Sequence, residues 1–404
     1  MSFYIYHPSQ DSLTGAEIAA CGSIARALKR ANYLILETQA QGNPQWLPFP
    51  GQLRLCAYSH LANGANSVMY WHWHSIHNSF ESYWKGVLSH DFSANETYRE
   101  AAQLGAELKK IESKIKNLRK KNHAAILVSH ESLSGLSQFP TGNLKAQSYN
   151  TVFRWIADSL YRNNIEYDII HPQDMHLEEY RMVFVPCLYS SDEATLLALK
   201  EYTAGGGHLV VTFRSGFSDE HIKIYHDTQP HILAECLGIR YDRFTIPQNT
   251  GIDFRFGSKK ENIPIREWME LVTTDGADPL AAYHHSAWGD YSAVTEHSYQ
   301  SGRVYYIGCY FDDQAAIDEL TAYIASNADI KISHRFPVII KQGYNDDGKK
   351  IIYYLNYSAD TQSVIYEGND VILLLPEERK MYSGETLVLP PWCVEVAEIC
   401  SSKK

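Results

Sequence analysis

Hydrophobic positions near the start of the chain alternate between helical and strand spacing. Thr14 and Glu17 form a T-x-x-E capping box ahead of apolar residues three and four apart, which predicts a helix. The run Tyr33–Leu36 is short, continuous and apolar, which predicts a strand that is buried on both faces and ends at Glu37. This alternation is typical of the βα units of a parallel sheet or barrel. The elements that follow are a helix near 52–63 and a strand at 67–73.

A second α/β segment begins at Ala124, where short apolar runs again alternate with amphipathic stretches. This order favours a doubly wound sheet of the flavodoxin or amidotransferase type. The polar stretch between about 217 and 302 is expected to be an insertion. The predicted strands are 124–128, 167–170, 182–186, 208–213 and 304–309, and the predicted helices are 149–162, 192–204 and 315–326.

From Phe336 onward the pattern changes to short alternating strands, which predicts a small all-β domain of the sandwich type. The basic run Lys114–Lys121 is interpreted as a solvated face and a domain boundary. The predicted domains are therefore 1–121, 122–333 and 334–404.

Charge and cysteine content narrow the classes of partner. The 404 residues carry 36 basic and 47 acidic side chains, a net charge of −11, which argues against a nucleic acid or an anionic membrane as the main partner. The seven cysteines are scattered and nowhere spaced as CxxC, so neither a disulfide framework nor a zinc knuckle is indicated. With no leader-like start and no long apolar run, the sequence predicts a cytoplasmic protein.

Aromatic residues make up 12% of the chain, including 28 Tyr and 8 Trp. Rings with a polar edge suit flat polar ligands such as sugars. A neutral ligand of this kind is the simplest expectation.

Glu37 is the sharpest candidate for chemistry. Parallel α/β sheets and barrels place catalytic groups at the carboxyl ends of their strands, and Glu37 follows an apolar run at such a position. Trp46 lies nine residues on, in a loop where an indole can stack on a sugar ring. A structural interpretation stays open for each residue. Glu37 is then a solvated loop residue or the partner of a helix cap, and Trp46 is a packing residue.

The segment 70–77 holds several rings and histidines at the end of another predicted strand. His72 and His74 lie on one side of that strand, at a spacing that allows both to bind one metal ion. No nearby Cys or Asp completes such a site. Glu81 follows this segment and is close enough in sequence to share a pocket with Glu37. The alternative is that Glu81 is an exposed loop residue that only contacts solvent.

A different class, an amidotransferase-like thiol enzyme, is suggested by Cys187 and His208. A nucleophile after a strand needs a tight Gly-flanked elbow, which the sequence around Cys187 lacks, so a buried thiol is expected. The run Gly205–Gly207 lies between a helix and a strand and is interpreted as a helix C-cap turn.

Five segments, in order and spacing, resemble the β-galactosidases of glycoside hydrolase family 42. The resemblance extends to the α/β trimerisation domain of that family, through 204–210 and 213–220, and to its small β domain. The five segments are Leu34–Gln39, Trp46, Pro50–Leu55, Gly64–Trp73 and Glu81–Asp91.

The resemblance implies a retaining β-galactosidase that needs no cofactor and forms a homotrimer. It implies that Glu37 is the nucleophile at the end of the seventh barrel strand, that Trp46 lines the galactose site and that Glu81 hydrogen-bonds the sugar. By position Trp84 and His74 are also implied to bind the substrate. Both depart from the family pattern, since many members have His in place of Trp84 and Arg or Asp in place of His74, and the departures affect the contacts that set substrate preference.

Members of the family begin with a whole (β/α)8 barrel, whereas a single helix is predicted before Glu37. The chain is therefore expected to hold the last part of the barrel, with the acid/base carboxylate supplied by a second chain. Asn95-Glu96 is an Asn-Glu pair of the kind that carries the acid/base, but it follows the last predicted strand and is excluded. The alternative is a non-catalytic assembly or sugar-binding subunit.

Overall fold

The structure is a computed structural model that describes residues 2–41 and 46–400, except for the side chain of residue 146. The chain forms two compact units. The first combines Met1–Lys121 with Ser333–Lys404, and the second is Asn122–Ile332. The division into domains 1–121, 122–333 and 334–404 stays a prediction.

The amino-terminal part of the first unit is a parallel sheet with strand order β1-β2-β3. Strand β1 was not predicted, because its three residues are too few to show a period. The expectation that a lone helix precedes Glu37 is therefore wrong. The elements are β1 Ser2–Tyr4, α1 Ala16–Ala27, β2 Tyr33–Gln39, α2 Gln52–Ala62, β3 Ala65–Trp71 and α3 Glu96–Ile115.

The two faces of strand β2 differ in burial. Tyr33 and Ile35 are buried in a cluster that includes Ala25 of α1, whereas Leu34 is 39% exposed and Leu36 is 37% exposed. The prediction that strand β2 is buried on both faces is therefore wrong, because one face is left uncovered by the part of the chain that the structure describes. Met69 of β3, 52% exposed, also leaves an apolar surface open.

Helix α1 begins without the predicted capping box. Gly15 is the N-cap residue, with φ of +77°, and no side chain caps the helix there. A left-handed conformation at this position suits glycine, which has no Cβ to clash. Thr14 instead accepts a hydrogen bond from the backbone N–H of Ala16 at 3.3 Å.

Helix α3 is amphipathic and buries Leu104, Ile111 and Ile115. Its start is capped by Asn95, whose side chain accepts a hydrogen bond from the backbone N–H of Tyr98. No helix among the described residues is both long enough and apolar enough to cross a membrane.

The second unit is built on a mixed sheet with strand order β16-β11-β10-β13-β14-β15-β7-β6-β4-β5, and β9 pairs with β11. Its elements are β4 Ala124–Leu127, α4 His130–Gln138, α5 Ser148–Arg162, β5 Tyr167–Ile170, β6 Met182–Val185, α6 Glu193–Ala204, β7 His208–Thr212, α7 Leu233–Leu237, β8 Ile239–Arg240, β9 Phe244–Thr245, β10 Gly251–Phe254, β11 Ile263–Glu270, β12 Thr273–Thr274, β13 Asp278–His284, β14 Ser292–Tyr299, β15 Gly302–Ile307, β16 Cys309–Phe311 and α8 Gln314–Asn327.

Strands β5, β4, β6, β7 and β15 are parallel and carry an apolar core on each face. Ala124 and Phe184 belong to one core cluster, and Ala125 and Val183 to the other. Continuous apolar runs are typical of strands buried on both faces. These strands could therefore be predicted correctly from the sequence.

The stretch 217–302 is not an insertion outside the sheet. Strands β10, β11, β13 and β14 extend the sheet as antiparallel neighbours. In β11 exposed residues alternate with buried ones at its start, so its composition is more polar than that of a strand covered on both faces. That alternation made the segment resemble a loop.

The carboxyl-terminal part of the first unit is all-β, as predicted. A five-stranded sheet has the order β17-β18-β23-β20-β21, and β19 pairs with β22. Strands β21 and β22 were not predicted. The strands are β17 Val338–Tyr344, β18 Lys350–Asn356, β19 Gln362–Ile365, β20 Val371–Leu373, β21 Arg379–Met381, β22 Thr386–Leu389 and β23 Val394–Ile399.

Candidate functional site

Glu37 lies inside strand β2, two residues before the end at Gln39, and does not terminate the strand as predicted. Ile35 pairs with Val68 of β3 and Thr38 pairs with Tyr70, so β2 has one more residue than β3 in this interval. The register with β1 shifts over the same residues of β2. Glu37 therefore sits in a β-bulge.

The bulge decides which way Glu37 faces. Strict alternation would put Glu37 on the same face as Ile35, toward the helices. Thr38 takes that buried face instead, with 2% exposure, and Glu37 is half-buried. Bulges commonly re-aim a side chain beside an active site, and this one brings a carboxylate to the open face of the sheet.

Tyr6, which follows β1, contacts Glu37. Its hydroxyl donates a hydrogen bond to Glu37 Oε1 at 2.8 Å. Burial, and then the neighbouring Glu37 carboxylate, raise the pKa of Tyr6 well above its ordinary value. The phenol therefore stays protonated and acts as a donor. Sequence reasoning missed Tyr6, because the strand before it is only three residues long and its neighbours show no alternation of polar and apolar residues.

Trp84 and Glu81 lie near the same hydroxyl. The rings of Tyr6 and Trp84 meet edge to face with centroids 5.6 Å apart. The charge of Glu81 makes the smallest contribution to the raised pKa of Tyr6, so this exposed carboxylate lies in the neighbourhood of the phenol. The indole Nε1 of Trp84 is buried and has no hydrogen-bond partner in the part of the chain that the structure describes.

His72 and His74 lie in the neighbourhood of the Glu37 and Glu81 carboxylates. Burial and the neighbouring His74 lower the pKa of His72, while Glu81 and Glu37 oppose that effect. The two imidazole centroids are 6.3 Å apart. His74 Nδ1 lies 2.9 Å from the carbonyl oxygen of Ser75. Of the four predicted sugar-site residues, Trp84 thus contacts Tyr6, Glu81 lies near it, and His74 contacts His72.

Trp46 is 54% exposed, in the loop after β2. Residues 42–45, which precede it, lie outside the described residues. Its predicted role in lining the sugar site stays a prediction.

Asn95 and Glu96 have structural contacts. Asn95 caps helix α3, and Glu96 Oε2 lies 2.8 Å from Arg99 Nη2 on the exposed helix surface. These contacts account for the Asn-Glu pair without catalysis.

The thiol of Cys187 is not built for catalysis. Its backbone φ is +40°, a left-handed conformation, but no glycine flanks it, so the Gly-flanked elbow of a nucleophile is lacking as the sequence indicates. The side chain is fully buried, and burial raises the pKa of Cys187 to about 12. The hydroxyl of Thr212 donates a hydrogen bond to the Cys187 sulfur at 3.7 Å, and the ring of His208 stacks on Tyr305. A thiol with a raised pKa is a poor nucleophile at neutral pH.

The glycine run ends helix α6, as predicted. Gly205 is the C-cap residue, and Gly206 has φ of +111°. Over residues 2–41 and 46–400, no group of three or more His, Cys, Asp or Glu side chains is arranged to hold a metal ion.

Comparison with known proteins places these features in a family. The sequence model described as "Beta-galactosidase" of glycoside hydrolase family 42 matches residues 2–111, and that described as "Beta-galactosidase trimerisation domain" matches residues 122–331. The β-galactosidase LacZ of Heyndrickxia coagulans is 27% identical over 386 residues, which cover 93% of this chain and 56% of that protein. The β-galactosidase BgaB of a Geobacillus strain is 27% identical over 372 residues, or 89% of this chain and 53% of that protein.

Solved structures share the fold. The β-galactosidase of Bacillus circulans sp. alkalophilus superposes with a TM-score of 0.88 at 22% identity, covering 99% of this chain and 60% of that one. The β-galactosidase of Rahnella sp. R3 gives 0.87 at 23% identity, covering 98% and 60%. The chain spans about half the length of the curated relatives it matches. With the trimerisation-domain model alone matching more than half of its residues, the chain belongs to the β-galactosidases of glycoside hydrolase family 42.

Proposed function

We propose that this chain carries the nucleophile of a retaining β-galactosidase that hydrolyses terminal β-D-galactosides. The observation that carries the proposal is Glu37 on the open face of a parallel sheet, held by the Tyr6 hydroxyl at 2.8 Å. Family membership supplies the substrate class, since the relatives are described as β-galactosidases.

In this mechanism a Glu37 oxygen attacks the anomeric carbon of galactose, and the bond from that carbon to the leaving oxygen breaks. An acid group gives the leaving oxygen its proton. Water then attacks the galactosyl ester, giving a proton to the same group, and Glu37 leaves as a carboxylate. Tyr6 fixes the carboxylate during both steps, because its phenol stays protonated.

The acid/base must come from a second carboxyl about 5–5.5 Å from the nucleophile. We propose that it lies outside these 404 residues, on a neighbouring segment of the same barrel or on a second chain. The exposed apolar side chains of Leu34, Leu36 and Met69 support this, because a barrel interior would cover them. On this view β1–β3 are the last strands of a (β/α)8 barrel.

The sugar site is proposed to comprise Trp46, Glu81, Trp84 and His74. Glu81 offers carboxylate oxygens to sugar hydroxyls, and the ring of Trp84 packs edge to face on Tyr6, the residue that holds Glu37. The exposed indole of Trp46 suits stacking on a pyranose ring.

Assembly is proposed to be a homotrimer formed through the second unit. Residues 122–331 match the model described as a trimerisation domain. We further propose that the parallel strands of this unit are a doubly wound flavodoxin-like or amidotransferase-like core to which the antiparallel strands have been added.

The test is release of dinitrophenol from 2,4-dinitrophenyl β-D-galactoside by the purified chain. This leaving group departs without a proton, so the attack by Glu37 is measured independently of the acid/base. Glu37→Gln should abolish release, and the matched variant Glu96→Gln, on the exposed start of α3, should keep it. Equal release by wild type and Glu37→Gln would overturn the proposal.

A further inference from the structure

A small cavity lies behind the strand that carries Glu37. It leaves about 10 Å³ for the centre of a water molecule, and its wall includes Thr38, Cys56, His60 and Tyr70. A space of this size accommodates about one water molecule if polar partners surround it.

Four polar atoms of these residues are buried and unpartnered in the described ranges of the chain. They are Thr38 Oγ1, the Tyr70 hydroxyl oxygen, and both ring nitrogens of His60. His60 is fully buried, and burial lowers its pKa to about 3, so the neutral ring presents one donor and one acceptor. A buried polar group without a partner loses the hydrogen bonds that water would give it, and native proteins rarely tolerate several such groups together.

Other polar residues of the same wall are satisfied. The side chain of Gln52 accepts a hydrogen bond from the backbone N–H of Gln10 at 2.9 Å and donates one to its carbonyl oxygen at 3.0 Å. Gln39 accepts a hydrogen bond from the backbone N–H of His7 at 3.2 Å. The unpartnered atoms are therefore concentrated on Thr38, His60 and Tyr70.

We propose that the cavity binds an ordered water molecule that bridges Thr38, His60 and Tyr70. The water accepts hydrogen bonds from the ring N–H of His60 and the hydroxyl of Tyr70, and donates to Thr38 Oγ1. Buried waters in proteins typically make about three such bonds. The site thereby ties strands β2 and β3 to helix α2.

The position of this water allows it to influence the orientation of Glu37. Thr38 and Tyr70 are the pair at which β2 and β3 resume their register after the bulge. A bridge at this pair holds the strand where Glu37 is turned to the open face, so Thr38 is a positioning residue. This role rests on the proposed function, whereas the hydration site itself does not.

A high-resolution crystal structure of the chain tests the site directly. We expect electron density for one water within hydrogen-bond distance of Thr38 Oγ1 and of a His60 ring nitrogen. A cavity without density, or filled by a shifted side chain, would overturn the proposal.

Thermal unfolding gives a second test, based on the sign of the change. Removal of a bridging hydroxyl should lower the melting temperature of Tyr70→Phe, whereas loss of an unpaired hydroxyl in a dry cavity should raise it. Tyr33→Phe is the matched control, because its buried hydroxyl is also unpartnered among the described residues but does not line the cavity. A melting temperature of Tyr70→Phe at or above that of wild type would contradict the proposal.

The positioning role needs a chemical measurement. We expect covalent labelling of Glu37 by a 2-fluorogalactoside to be about tenfold slower in Thr38→Val and restored in Thr38→Ser. Unchanged labelling in Thr38→Val would refute the positioning role. If wild type is not labelled while the water is observed, the proposed function fails and the hydration site stands.

Discussion

Glu270, buried in the mixed sheet of the second unit, makes the stability of that unit depend on pH. The carboxylate accepts hydrogen bonds from the backbone N–H of Arg214, from Trp268 Nε1 and from the Tyr306 hydroxyl. These donors and the Arg214 charge favour the ionised form. Complete burial outweighs them and raises the pKa of Glu270 from its ordinary 4.5 to about 7.

The sign and size of the effect follow from linkage. Because the pKa of Glu270 is higher in the folded chain, the folded state holds the proton over the interval in which the unfolded state has lost it. The associated stability is fully present below 4.5 and is lost as the pH rises through about 7. At about 1.4 kcal/mol per pH unit, the loss is about 3 kcal/mol.

The assay is urea unfolding of the full chain at about pH 5 and about pH 8, followed by tryptophan fluorescence. In Glu270→Gln the neutral side chain cannot titrate, so the fall in unfolding free energy between the two pH values should be about 2–3 kcal/mol smaller than in wild type. The rest of the loss has already occurred at about pH 5, where the carboxyl of the unfolded chain is mostly ionised. Glu201→Gln, at an exposed position of the same unit, should keep the wild-type fall. An equal fall in all three proteins would show that Glu270 does not bind the proton responsible.

Three further predictions follow from contacts in the two units. Arg54 Nε lies 2.6 Å from Glu107 Oε2, with both side chains largely buried, so Arg54→Met should cost about 3–5 kcal/mol of unfolding free energy in urea titration. The exposed Arg99→Met should cost under about 1 kcal/mol, and equal losses would contradict this. Tyr6→Phe should slow labelling of the proposed nucleophile by a 2-fluorogalactoside about tenfold, because the hydrogen bond that orients it is lost; unchanged labelling would speak against that role. Cys187 should resist iodoacetamide in the folded protein at neutral pH, since its thiol is buried, and rapid alkylation of Cys187 found by mass spectrometry would contradict its assignment as a structural residue.

Elements with a strong local pattern could be predicted from the sequence. The strands near 124–128 and 182–186 are continuous apolar runs because both faces of the sheet are covered, and the structure has them within one residue. The opposite inference failed at Leu34 and Leu36, where an apolar run occurs on a strand with one exposed face. The pattern of a single strand does not reveal whether another part of the protein covers it.

The arrangement of the candidate site depends on contacts between distant residues. Glu37 was located by its position after an apolar run, but the bulge that turns it outward is a property of the pairing with β1 and β3. Tyr6 lies 31 residues from Glu37 in sequence, and its contact follows from a strand too short to predict. Register and short strands are set by tertiary pairing, which the local sequence does not encode.

The central claim is that Glu37 is the attacking group, and covalent trapping tests it most directly. The chain is incubated with 2,4-dinitrophenyl 2-deoxy-2-fluoro-β-D-galactoside, digested and mapped by tandem mass spectrometry. We expect one fluorogalactosyl group on the peptide containing Glu37, and none on that peptide in Glu37→Gln. A label on another residue in the wild-type chain would contradict it.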